Sequence, residues 1–125
     1  DMKNITIKAG TSAKISITPK INGIEATQEQ LQGVNIYVFF LYQFTNKIYG
    51  EPHVLTAQDL SIILTPQETL AMLGNAEENQ KFEVQFAIKT ASGDVMAEDE
   101  DANLVINIIR WEAGQWLNQN STKSE

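Results

Sequence analysis

One segment constrains the fold more than any other, because it is apolar on both faces of a strand. In residues 34–44 the even positions are all apolar, and Tyr37, Phe39 and Leu41 are apolar at odd positions. Successive side chains of a strand point to opposite faces. Two apolar faces are typical of a strand at the centre of a sheet that is covered on both sides. The segment therefore predicts a central strand that ends near Phe44.

Shorter strands with one apolar face recur along most of the chain. In residues 82–88 large apolar side chains alternate with Glu83, Gln85 and the small Ala87. Residues 47–55 are predicted as a return strand interrupted near Gly50-Glu51-Pro52. Turn signals such as Asn22-Gly23 separate the strands at hairpin-length intervals. We expect seven to eight strands in all; the others lie near residues 5–7, 15–17, 60–64, 95–97 and 104–108.

One helix signal stands out between the strands. Thr65 and Glu68 fit a capping box, in which the Thr65 hydroxyl accepts the N–H of Glu68 and the Glu68 side chain reaches back. Pro66 suits the first helical position, and Gly74 suits a left-handed stop. The sequence predicts one short helix over residues 66–73.

The connections between strands set the fold class. Strands joined by short links, without alternating helices, indicate an antiparallel sandwich. We therefore predict one all-β domain over residues 1–112. Residues 113–125 are predicted to be a polar and flexible tail, although Trp111, Trp116 and Leu117 could dock on the domain.

Charge and composition limit the classes of function that the chain can have. The 125 residues include nine basic and sixteen acidic side chains, a formal net charge of −7. That balance disfavours nucleic acid and anionic membrane surfaces, which require a basic patch. No apolar run approaches the roughly 18 residues of a membrane-spanning helix. Without cysteine the chain can hold no disulfide, thiol nucleophile or thiolate zinc site.

Candidates for catalysis are few. His53 is the single histidine and follows Pro52 in a turn-like stretch, which favours a surface histidine over a general base. The sequence contains no nucleophile elbow, phosphate-binding glycine loop or zinc-protease motif. Arg110 is its single arginine. We predict a protein that is not an enzyme and that uses no cofactor.

The most conspicuous polar feature is the acidic run Glu98, Asp99, Glu100 and Asp101. Four carboxylates beside a turn are candidate oxygen ligands for calcium. Consecutive strand residues, however, point to opposite faces and do not converge without a bulge or a loop. We favour a solvated edge that discourages aggregation between sheets.

Aromatic residues supply the interface candidates. Tyr37, Phe39 and Leu41 form the second apolar face of the central strand, and Trp111 and Trp116 lie near the C-terminal end. If nothing within the domain covers this face, it is a protein interface. The alternative, which we favour, is that the predicted helix or the two tryptophans cover it.

Three stretches together match the order of a known family. They are ITIKAGT at residues 5–11, with the alternating strand and turn that follow it, LTPQET at residues 64–69, and residues 82–95, which begin FEVQF. This order resembles the immunoglobulin-like N-terminal domain of phage baseplate upper proteins and related phage tail-associated proteins. The resemblance implies an immunoglobulin-like antiparallel β-sandwich that acts as a structural, non-catalytic virion component and contacts other subunits through its sheet faces and edges.

The alternative function is a secreted bacterial adhesion or carbohydrate-binding module of the same architecture, with Trp111 and Trp116 as sugar platforms. If Met2 is the initiator, we expect the protein in the virion or the cytoplasm. If a signal peptide was removed, we expect it at the cell surface or outside the cell. In either case the expected partners are proteins, a second copy included, and neither nucleic acid nor membrane.

Overall fold

The fold is built from strands with two short helices. The computed structural model describes residues 3–21, 23–97 and 104–119, and in these it forms ten strands and two helices. The strands are β1 (Lys3–Lys8), β2 (Ala13–Ser16), β3 (Lys20–Ile21), β4 (Ile24–Glu25), β5 (Asn35–Tyr42), β6 (Ile48–Leu55), β7 (Ser61–Leu64), β8 (Asn79–Lys89), β9 (Val95–Ala97) and β10 (Leu104–Ile109). The helices are α1 (Pro66–Leu73) and α2 (Glu112–Gln119). The predicted β-rich class is confirmed, with one helix more than expected.

The main sheet has six strands in the order β1-β10-β8-β5-β6, with β9 paired to β8. Its pairs are antiparallel except at one edge, where β1 lies parallel to β10 with Lys3 opposite Leu104 and Lys8 opposite Ile109. The purely antiparallel arrangement predicted from the sequence is therefore wrong at this edge. An alternating strand fits a neighbour in either direction, so the pattern of β1 carries no signal for its partner.

Two sheets contribute to a single core. β2 and β7 form a separate antiparallel pair. Their buried residues Ile15, Ile62 and Leu64 belong to the same core as Val38 and Phe82 of the main sheet. The core thus lies on one face of the main sheet, on the side that the β2–β7 pair occupies.

Helix α1 spans the residues predicted for it. Thr65 Oγ1 accepts the N–H of Glu68 at 3.2 Å, and Glu68 Oε1 accepts the N–H of Thr65 at 2.8 Å, which completes the capping box. Gly74 follows the helix with φ +59°. Both ends could be predicted because their signals are local.

A second helix, α2, occupies the start of the predicted flexible tail. Its buried Gly114 lies against the turn after β1, and a Cβ atom placed there would overlap the carbonyl oxygen of Ala9 and lie 3.2 Å from Gly10 Cα. Asn118 Nδ2 also donates to the carbonyl oxygen of Gly114 at 2.8 Å. The prediction of a flexible tail is therefore wrong for residues 113–119, which belong to an ordered helix. Gly114 allows this helix to approach the backbone of the turn after β1 closely. Residues 120–125 lie outside the described residues.

Thr69 joins α1 to the turn after β1. Its fully buried hydroxyl accepts the N–H of Gly10 at 2.9 Å and donates to the carbonyl oxygen of Thr11 at 3.0 Å. We expect Thr69→Val, which keeps the shape and removes these bonds, to lower the free energy of unfolding by about 1–2 kcal/mol. The loss would be measured by urea unfolding.

Amide hydrogen exchange at Gly10 separates this effect from a loss of packing. We expect the Gly10 amide to exchange faster in Thr69→Val and to stay protected in Thr69→Ser, which keeps the hydroxyl. Equal protection of Gly10 in both variants would contradict the assignment.

Candidate interaction surface

β5 has one face in the core and one face outside it. Val38 and Phe40 point inward and are almost fully buried. Tyr37, Phe39 and Leu41 alternate with them and are only half-buried. None of these three is among the described side chains that form the core or pack against it.

Two exposed residues of β6 extend the outer face of β5. Val54 pairs with Tyr37 and Ile48 pairs with Leu41, and directly opposite residues of a ladder share a face. Val54 and Ile48 are each 52% exposed. We call the set Tyr37, Phe39, Leu41, Ile48 and Val54 the β5–β6 patch.

Helix α1, which we expected to cover the outer face of β5, lies on the other side of the sheet. Met72 and Leu73 of α1 belong to the core, and Met72 lines a cleft together with the inward-pointing Phe40. The contacts of α1 include β8, β10 and α2. The helix therefore packs against the inner face, and the β5–β6 patch does not receive the cover that the sequence led us to favour.

The two tryptophans lie near the opposite edge of the main sheet. Lys8 Nζ of β1 is 5.6 Å from the centre of the Trp111 ring. β1 is three strands from β5, a distance of about 14 Å at the usual strand spacing. Trp116 lies on α2 and is 63% exposed. The structure thus brings Tyr37 and its neighbours together and holds both tryptophans apart from them.

Phe44 is a candidate that sequence reasoning missed. β5 ends at Tyr42 rather than at Phe44, and Phe44 has φ +64° with a side chain 89% exposed. A left-handed conformation costs a bulky residue about 1–2 kcal/mol. Phenylalanine is favoured at this position neither by the backbone conformation nor by the environment of the side chain, which is exposed to solvent. The polar Gln43 before it is the one sequence signal that the strand had already ended.

Hydrogen bonds order the loop that carries Phe44. Thr45 donates its N–H and its hydroxyl to the carbonyl oxygen of Tyr42, at 3.1 Å and 2.9 Å. Lys47 in turn donates its N–H to Thr45 Oγ1 at 3.1 Å. The loop therefore presents Phe44 on an ordered backbone, at one end of the β5–β6 patch.

The remaining candidates do not form a catalytic or metal centre in the described residues. His53 lies in β6, half-buried, with its ring centre 5.4 Å from that of Phe40. Across residues 3–21, 23–97 and 104–119, no three metal-ligating side chains are close enough to hold an ion. Outside these ranges lie the calcium candidates Glu98, Asp99, Glu100 and Asp101.

Comparison of the chain with protein-family models, with curated proteins and with solved structures gave no match. The resemblance to the phage domain therefore stays a prediction, and the geometry of the surface carries the functional argument. None of the described helices combines the length and the apolar character that a membrane span requires.

Proposed function

We propose that this chain is a non-catalytic protein-interaction module with an immunoglobulin-like fold, and that the β5–β6 patch and Phe44 are its contact surface. The observation that carries the proposal is Phe44, which is 89% exposed and left-handed at the end of an apolar face. A strained and exposed aromatic residue adds little to folding. Contact with a partner would give such a side chain a role.

Strand order supports the immunoglobulin-like part of the proposal. In the variable-type domain, strands G, F, C and C′ are neighbours in one sheet, and strands B and E pair in the other. β10, β8, β5 and β6 follow the first order, and β2 and β7 follow the second. Both orders match those of a two-sheet sandwich with crossing connections, and they support the architecture that the phage resemblance implies.

The composition of the outer face supports an interface. Gln85 lies opposite Phe39, and Glu83 lies opposite Leu41, so polar side chains of β8 border the apolar patch. An apolar centre with aromatic anchors and a polar rim is the usual anatomy of a protein interface. The module would act by presenting this surface, without a reaction or a cofactor.

The sequence resemblance supplies the setting that we propose. A tail or baseplate component of a phage or prophage must bind other subunits or further copies of itself in the virion. The β5–β6 patch is suited to either, because its five side chains are apolar and lie on one sheet face.

One observation favours the second candidate function, an adhesion or carbohydrate-binding module. Trp116 is 63% exposed on α2, as a stacking platform for a sugar ring would be. Trp111 is less suitable, because Lys8 lies over its ring. A shift of tryptophan fluorescence on titration with oligosaccharides would support this candidate, and its absence would favour the protein interface.

Two substitutions test the interface. We expect Phe39→Glu and Phe44→Asn to leave the domain folded, because neither side chain belongs to the core. Phe44→Asn should have equal or higher stability, since asparagine tolerates the left-handed conformation. We expect both to abolish association of the chain with its partner. Sedimentation of the wild-type chain over a wide concentration range tests a second copy as that partner.

Ile63→Glu is the matched control, because Ile63 is also exposed but lies on β7 in the other sheet. It should associate as the wild type does. Unfolding of Phe39→Glu would show that the face is covered and would overturn the proposal. A wild-type chain that stays monomeric excludes a second copy, and cross-linking from position 44 then identifies the partner.

A further inference from the structure

A cleft of about 340 Å³ lies on the inner side of the main sheet, between β6 and the segment from β7 to α1. Its apolar lining includes Phe40, Leu64 and Met72. These side chains point to the core and not to the β5–β6 patch. The volume falls within the range of small-molecule sites, about 300–1,000 Å³.

A bulge in β6 accompanies the cleft. Val38 pairs with His53 and Phe40 pairs with Tyr49, so three residues of β6 lie opposite a single residue of β5. Gly50, the first of the three, has φ +62°, which glycine adopts without strain. Such a bulge bends its strand, and all three bulged residues line the cleft.

Two aromatic rings of the cleft are held in place by other rings. Tyr49 packs at 5.8 Å from Tyr42 and at 5.3 Å from Phe82, measured between ring centres. The His53 ring is 5.4 Å from the ring of Phe40. The aromatic lining is therefore supported by rings on the core side.

The charged groups of the cleft are two carboxylates. Glu51 and Glu68 line it, and no lysine or arginine does. Burial raises the pKa of the Tyr49 hydroxyl, and the neighbouring Tyr42 and Glu68 raise it further. Glu68 is therefore close enough to Tyr49 for its negative charge to act on the Tyr49 side chain. The remaining polar ring of the lining is the imidazole of His53.

We propose that this cleft binds a small organic cation of the trimethylammonium class. The faces of aromatic rings attract such cations, and two carboxylates with no opposing basic side chain add to the attraction. The same charges repel anions, and a neutral ligand of equal shape gains only the apolar contact. The ammonium group can belong to a free small molecule or to a modified lysine of a larger one.

Choline and its uncharged carbon analogue separate charge from shape. Titrated into labelled protein, choline should shift the amide signals of Tyr49, Gly50, His53 and Glu68 with saturation. We expect the uncharged alcohol, in which carbon replaces nitrogen, to bind about tenfold more weakly, a difference of about 1.4 kcal/mol. A trimethyllysine peptide that binds more tightly than choline would identify a larger molecule as the source, and equal binding would identify a free one.

Glu68→Gln removes the charge and retains the capping box, since glutamine also serves at this helix position. We expect it and Glu51→Gln each to weaken choline binding severalfold while the protein stays folded, with Glu68→Gln losing no more than about 1 kcal/mol of stability at the helix N-terminus. Glu78→Gln removes the same charge from an exposed residue that does not line the cleft, and it should bind choline as the wild type does.

Three results would overturn the proposal. They are the absence of saturable shifts, equal binding of choline and its uncharged analogue, and equal affinity of the Glu68→Gln, Glu51→Gln and Glu78→Gln variants. None of these results bears on the β5–β6 patch, because the two surfaces lie on opposite faces of the sheet. Conversely, loss of association in Phe44→Asn would neither support nor contradict choline binding in the cleft.

Discussion

Phe82→Ala is expected to lower the free energy of unfolding by about 3–5 kcal/mol, the range for a large aromatic residue removed from a core. Phe82 is fully buried in β8, with its ring 5.1 Å from Tyr42 and 5.3 Å from Tyr49. It lies opposite Ile106 of β10 on one side and opposite Tyr42 of β5 on the other. Its loss therefore opens a cavity at the centre of the main sheet, and urea unfolding would measure the effect.

Phe39→Ala is the matched control, since the same side chain is removed from the outer face of a neighbouring strand. Phe39 is half-buried, so we expect a loss of about 1 kcal/mol, part of the value for a fully buried phenylalanine. The difference between the losses in free energy of unfolding of the two variants measures how much more deeply the inner face of the sheet is buried than the outer face. If Phe39→Ala were as destabilising as Phe82→Ala, the outer face would be part of a core and the interface proposal would fail.

Gly114→Ala should destabilise the protein by about 2–3 kcal/mol, as overpacking does. In an open helix the same change stabilises by up to about 1 kcal/mol, so the sign of the effect is informative. The new Cβ atom would overlap the carbonyl oxygen of Ala9 and lie 2.7 Å from Trp111 Cε3. The backbone of Ala9 cannot shift easily to make room. Ala9 is fully buried, and its N–H donates to the carbonyl oxygen of Ile109 at 2.8 Å.

Detachment of α2 would be visible in the fluorescence of Trp111 and Trp116, which should report a more exposed environment in Gly114→Ala. Ala113→Gly is the control, because Ala113 is exposed on the same helix and its change costs only about 0.5–1 kcal/mol of helix propensity. A Gly114→Ala protein more stable than the wild type would show that α2 does not pack against the turn as described.

Local signals allowed part of this structure to be predicted. The ends of α1 follow from Thr65 and Gly74, which act within one turn of the helix. The interrupted strand β6 follows from Gly50 and Pro52, which disturb a ladder wherever it lies. The alternation of residues 82–88 likewise needs no knowledge of the neighbouring strands.

The rest depends on contacts between distant residues. The parallel pairing of β1 joins residues about a hundred positions apart and leaves no trace in either strand. α2 contains a glycine that an isolated helix would disfavour, and only the approach to Gly10 explains it. The sequence correctly predicted that the outer face of β5 is apolar. It could not predict that α1 leaves this face uncovered, because the helix packs against the opposite face of the sheet through contacts between distant residues. The cleft arises from the register of β6, which no single residue specifies.

The parallel edge has a mechanical consequence. Because β1 and β10 run side by side in one direction over six residue pairs, the chain enters the pair at one end and leaves it at the other. A force that separates these two chain ends loads all of the hydrogen bonds between β1 and β10 in shear, together, rather than opening them one after another. A module connected to its neighbours through both ends would therefore resist stretching at this edge before the rest of the sheet is strained.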